Sequence, residues 1–248
     1  MFLHAFTEQS FKDALTLYLR NKQYSYATED DLFASIDAIV KRDGTLPANF
    51  NTSEIMKSWT RQSGYPILKV TRNYKDNTLE IHQERYFSEP QSVKTNQTWW
   101  VPYNLVVGGP NAFYNDTRAQ YWLPQNTNSV VLTSDDSLKW TSKDAILLNA
   151  QQTGYYRVLY DEQNYNLIAN DLHANGDRIP PTTKSQLIDD LFEFANHDLI
   201  GYESVLNLLT FLSHERNYVP WASANNGLNQ INRILSGGEA YPSFLVSF

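Results

Sequence analysis

Residues 146–161 read ILLNAQQTGYYRVLYD, and the period of the sequence changes inside them. Alternation puts Tyr156, Val158 and Tyr160 on one face of a strand and Tyr155, Arg157 and Leu159 on the other. Gly154 permits a tight entry into that strand. Asp161 is then a good cap for a helix over EQNYNLIANDL. Strands therefore precede this point and helices follow it. Arg157 invites a role in gripping a substrate carboxylate. The structural reading is preferred: it pairs with Asp161 or Asp190 across the seam between strands and helices, and fixes domain orientation more than it adds stability.

Working back from Gly154, PILKVTRN and TLEIHQERYF flank the turn residues Lys75, Asp76 and Asn77, a β-hairpin signal. Leu79 and Ile81 alternate with Glu80 and His82, so one face of that hairpin is wet. TWWVPYNLVV, AQYWL, SVVLT and AILLN continue the series, with turn-rich segments such as GGPNAFYND between them. The adjacent residues Trp99 and Trp100 must point to opposite faces of their strand. With Trp122 they are read as core and inter-domain packing, one toward the strands and one toward the first helical zone, in preference to a sugar-stacking platform.

Residues 1–64 read as helical. Phe11, Ala14, Leu15 and Tyr18 fall on one helix face. Thr28 to Asp31 form a capping-box-like start, followed by Leu32, Phe33, Ile36, Ile39 and Val40, and Gly44 and Pro47 end that helix. NTSE caps a third helix, with Ile55, Met56 and Trp59 inward and a stop at Gly64-Tyr65-Pro66. Downstream, Pro180 to Thr183 introduce a helix with the stripe Leu187, Ile188, Leu191 and Phe194. Gly201 separates it from YESVLNLLTFLS, and WASANNGLNQINRIL is a further helix. Short connections imply antiparallel neighbours. The expected fold is multi-domain α and β: a short helical segment (1–64), an antiparallel β-sandwich of about seven strands (65–160), and antiparallel helix pairs of an α-solenoid-like domain (161–248).

With 19% charged and 42% apolar residues, the 248-residue chain has enough apolar matter for a packed core. A net charge of −7 without a Lys/Arg cluster argues against nucleic-acid binding. There is no cysteine, hence no disulfide or thiol chemistry, and no apolar run long enough for a membrane span.

Three patterns invite chemistry. His214-Glu215 spells the start of H-E-x-x-H, but the residue four after His214 is Tyr218, and Pro220 argues against a helix through that stretch. None of His4, His82, His173 and His197 lies three to five residues from another histidine, so no zinc pair forms and the stretch reads as a polar loop. Asp189 and Asp190 diverge by about 100° on a helix, too far to flank one bond, and read as a solvated face. Asn51, Asn96 and Asn115 begin N-glycosylation sequons, and Asn51 equally suits a helix cap.

A family resemblance then appears. Met56 to Val70, MKSWTRQSGYPILKV, resembles the W-x-x-Q-x-G-[YF]-P seam of zinc aminopeptidases of the aminopeptidase N type. LEIHQERYF and TWWVPYNL resemble the strands that follow. ILLNAQQTGYYRVLYD resembles the N-x-x-x-x-G-[FY]-Y-R-V-x-Y-[DE] signature, and SQLIDDLFEFA and NYVPW the first landmarks of the helical domain. The resemblance implies an internal fragment: the helical tail of the thermolysin-like catalytic domain, the whole sandwich, and the first part of the C-terminal helical domain. It implies that the parent releases N-terminal amino acids from peptides with zinc, while this piece carries neither catalytic nor zinc-binding residues and is inactive alone. Trp59, Tyr65, Trp99, Trp100, Tyr156 and Arg157 become inter-domain seam residues. Implied partners are the rest of the enzyme chain and, in the parent, peptide substrates; implied location is extracellular or at the cell surface, anchored through the parent. Gut members of the family are bound by bacterial toxins. The alternative reading is an aromatic-rich sandwich that binds glycans or a protein partner.

Overall fold

A computed structural model describes residues 1–88, 95–134, 138–239 and 241–242. Helices α1 (Phe2–Phe6), α2 (Glu8–Lys22), α3 (Glu29–Asp43) and α4 (Thr52–Thr60) open the chain. The start of α3 is set by the Thr28 N–H donating to Asp31 Oδ2 at 2.9 Å. Its end is set by Gly44, whose φ of 64° lies in the left-handed region that glycine enters without strain. Asn51 caps α4 by accepting from the Ser53 and Glu54 N–H groups. Phe6, Ala14, Phe33, Ile36, Val40 and Ile55 fill the core of this part.

Strands β1 (Pro66–Asn73) and β2 (Thr78–Arg85) form the expected antiparallel hairpin. Strands β3 (Val101–Tyr103), β4 (Leu105–Val107), β5 (Tyr121–Leu123), β6 (Ser129–Thr133), β7 (Ile146–Leu148) and β8 (Arg157–Tyr160) follow. One sheet runs β6-β2-β1-β8, and two ribbons pair β3 with β5 and β4 with β7. Leu68, Val70, Leu79 and Ile81 from the sheet share a core with Val101, Leu105, Leu123 and Ile146 from the ribbons.

Two expectations need correction. The sheet is not purely antiparallel: β8 runs parallel to β1, Ile67 beside Arg157 and Val70 beside Tyr160. Side-chain alternation is the same for either direction, so periodicity carried no information on it. TWWVPYNLVV is also not one strand. It breaks at Asn104, which is buried and accepts the Ala150 N–H at 2.8 Å, so β3 and β4 join different ribbons.

Helices α5 (Glu162–Asn175), α6 (Pro181–Asn196), α7 (Tyr202–Leu209) and α8 (Tyr218–Leu235) complete the described chain. Asp161 caps α5 by accepting from the Asn164 N–H at 2.9 Å. Helix α8 begins before Pro220 rather than after it, because a proline in the first turn removes an N–H that has no helical partner anyway. Among the described residues no helix is long and apolar enough to cross a membrane.

Candidate functional site

Arg157, Asp189 and Asp190, among the residues singled out in the sequence, meet where β8 faces α6. The turn into β8 is unusual: Asn149, Gln151 and Gln152 all have positive φ, near 59°, 58° and 56°. Non-glycine residues there are strained. Asn149, fully buried, holds the turn by donating to the carbonyls of Gly154 and Tyr156 and accepting the Gly154 N–H at 2.7 Å. Gly154 must be glycine, because a Cβ would sit 2.1 Å from the Tyr156 ring. Asn149 and Gly154 are thus the two ends of one clamp, and Gln151 is tied to α6 through the Thr183 hydroxyl.

Beyond the clamp, Tyr156, Val158 and Tyr160 are buried while Tyr155 is exposed. Arg157 turns toward α6, where Nη1 donates to Asp189 at 2.8 Å and Asp190 at 2.6 Å. Asp161, the other partner considered, instead accepts from the Arg72 N–H and the Tyr74 hydroxyl. The solvated-face reading of the two aspartates holds only for Asp189. The Asp190 side chain is 5% exposed, against 54% for Asp189. Burial pushes the Asp190 carboxyl up to about 7, opposed by Arg157 and by the Val158 N–H that it also accepts. The guanidinium lies 5.6 Å from the Tyr86 ring centroid, and Tyr86 donates to Glu193 of α6 at 2.7 Å.

An aromatic chain continues from there. Tyr65 stacks on Tyr86 at 5.6 Å and meets Tyr155 at 5.2 Å; Tyr155 meets Trp59 at 6.5 Å. The Trp59 indole donates to the Trp100 carbonyl at 2.7 Å and packs 6.1 Å from Trp99. Trp99 is fully buried in the core of the strands, whereas Trp100 and Trp122 pack against the core of α1–α4. These three indoles form no open stacking face. Tyr65, Gln152, Tyr155 and Arg157 instead border a cleft of about 340 Å³.

Some organising residues gave little warning. Arg72 is buried and donates to the carbonyls of Thr141 and Asp144 and to Asn164. Its signal was phase: it follows Leu68 and Val70 on the inward side of β1. Lys184 and Glu215 form an ion pair with both side chains 7% exposed. One oxygen of Glu215 is taken by Lys184. Its second oxygen accepts the Arg216 and Asn217 N–H groups.

Among the described residues no three His, Asp or Glu side chains converge into a metal-holding group. His4 pairs with Thr117, His173 with Thr210, His197 with Glu193 and His214 with Ser213. This donor set does not fit a catalytic zinc, which needs three protein ligands around one point. The sequon residues Asn51, Asn96 and Asn115 are all exposed, Asn51 while capping α4.

The profile of the ERAP1-like C-terminal domain matches residues 145–246. Aminopeptidase N of Plutella xylostella is 33% identical over 247 residues, 98% of this chain and 25% of that protein. A membrane alanyl aminopeptidase of Heliothis virescens is 30% identical over 230 residues, 91% of this chain and 22% of that protein. The thyrotropin-releasing hormone-degrading ectoenzyme of Homo sapiens is 28% identical over 249 residues, 97% of this chain and 22% of that protein. Along nearly its whole length the chain is similar to a segment of proteins of the aminopeptidase N type, and it spans about a quarter of the length of the curated relatives it matches.

Proposed function

We propose that this chain is the structural middle of a zinc aminopeptidase whose complete form releases N-terminal amino acids from peptides. Residues 1–64 end the catalytic domain, 65–160 form the sandwich, and residues from 161 begin the helical domain that encloses the peptidase site. The reading rests on one observation: the Arg157–Asp190 seam ties β8 to α6 within the stretch that carries the family signature. In this reading zinc, and the water it activates, are held by other parts of the enzyme. The relatives named as membrane and ectoenzyme proteins support a cell-surface location, where Asn51, Asn96 and Asn115 are open to glycosylation.

The test is direct. The purified 248-residue chain, supplied with zinc, is expected to leave an aminoacyl-nitroanilide intact. Zinc-dependent release of nitroaniline would overturn the proposal.

A further inference from the structure

A second cleft, of about 400 Å³, lies where the end of α5 and the turn Gly176–Arg178 face α6 and the segment Phe211–Glu215. It shares no lining residue with the cleft beside Arg157. Lys184 on its wall is 5% exposed. An ammonium has three N–H donors. One goes to Glu215, and Lys184 Nζ lies 5.8 Å from the Phe211 ring centroid. Among the described residues the other two have no acceptor. Glu215 already accepts from Lys184 and from two backbone N–H groups.

The rim adds acceptors. The Thr210 hydroxyl gives its proton to the Asn207 carbonyl at 2.6 Å, so it must accept from His173 Nε2–H. The Ser213 hydroxyl gives its proton to the Thr210 carbonyl at 2.9 Å, so it accepts from His214 Nδ1–H. In the neutral form of each ring the lone pair then sits on His173 Nδ1 and His214 Nε2, on residues that line the cleft. Asp177 and Arg178, both exposed, also line it, and neither makes an ion pair among the described residues.

The cleft thus presents cationic donors (Lys184 and Arg178) and acceptors (Asp177 and the two imidazoles) together. A simple anion would meet Asp177, and a simple cation would meet Lys184 and Arg178. A small molecule carrying both charges satisfies both sets. We propose that this cleft binds a free α-amino acid, its carboxylate on Lys184 and Arg178 and its ammonium on Asp177 and the imidazole nitrogens. If the aminopeptidase reading above holds, that ligand class is the enzyme's own product.

The experiment follows the histidine ring signals of the 248-residue chain by NMR during separate titrations with L-alanine, acetate and methylammonium. L-Alanine is expected to give saturable shifts for His173 and His214, with acetate and methylammonium each weaker by about tenfold or more. Arg178→Ala and Asp177→Asn, both exposed positions, should each weaken L-alanine by about tenfold with the melting temperature unchanged. Acetate binding as tightly as L-alanine would reduce the cleft to an oxyanion site and overturn the proposal. So would the absence of any saturable shift, or affinity indifferent to both variants. The measurement needs no peptidase activity, so its outcome is separable from that of the nitroanilide test.

Discussion

The carboxylate of Asp190 meets the guanidinium of Arg157 at 2.6 Å, and its other oxygen accepts the N–H of Val158 at 3.2 Å. One side chain on α6 therefore grips both the side chain and the backbone of β8. The grip is local and buried, so it fixes which face of the helix meets the strand rather than merely adding attraction.

Removing one partner should cost far more than a surface pair would. Arg157→Ala leaves Asp190 buried beside no cation, and at alkaline pH, where that carboxyl must ionise, a loss of up to about 3–5 kcal/mol is expected, read by urea unfolding. Asp189→Ala, at an exposed position, should cost less than about 1 kcal/mol. Equal effects of the two substitutions would deny Asp190 its special place.

The same carboxyl sets a pH dependence. Burial raises its folded value to about 7, above the ordinary carboxylate range. A raised acid favours its neutral form, so its contribution is fully present below about pH 4 and is lost as pH rises through about 7. In Arg157→Ala the opposing guanidinium is gone and the value rises further. The deficit of that variant should therefore shrink as pH is lowered from 8 toward 5, measured as the difference in urea midpoints.

These residues also show what could be read from the chain and what could not. Asp161 capping α5 and the hairpin around Asp76 were legible, because caps and tight turns are local and announce themselves in residue type. The burial of Asp190 was not. Its neighbour Asp189 is solvated, and only the approach of β8 separates the two. The parallel pairing of β8 with β1 was equally hidden, since alternation is blind to direction. Histidine spacing argued against a zinc pair at His214, yet nothing local marked Glu215 as the partner of a lysine thirty-one residues earlier.

Glu215 predicts acid sensitivity of the helical part. Burial works against its charge, but Lys184 and the N–H groups of Asn217 and Arg216 outweigh it, and the carboxyl sits below its ordinary value. A depressed acid contributes stability above its unfolded value, near 4.3, and loses it as pH falls through the folded value. Glu215→Gln should cost about 1.5–3 kcal/mol at neutral pH, and the loss should vanish toward pH 3. A constant loss across that range would mean that charge plays no part.

Finally, one substitution made at two glycines should have opposite signs. Gly227 lies inside α8, where alanine is worth about 1 kcal/mol in helix propensity. Its Cβ, however, would fall 2.2 Å from a ring carbon of Phe192, which is 4% exposed and cannot swing aside. Overpacking of that kind costs about 1–3 kcal/mol and pries α8 from α6, so Gly227→Ala should destabilise on balance. Gly176 has ordinary helical angles, φ −53° and ψ −38°, and open space around its missing Cβ. Gly176→Ala removes freedom from the unfolded chain alone and should stabilise by about 0.4–1 kcal/mol. Thermal melts of the two variants decide the matter: a Gly227→Ala melt above that of the parent chain would show that α8 does not rest on Phe192.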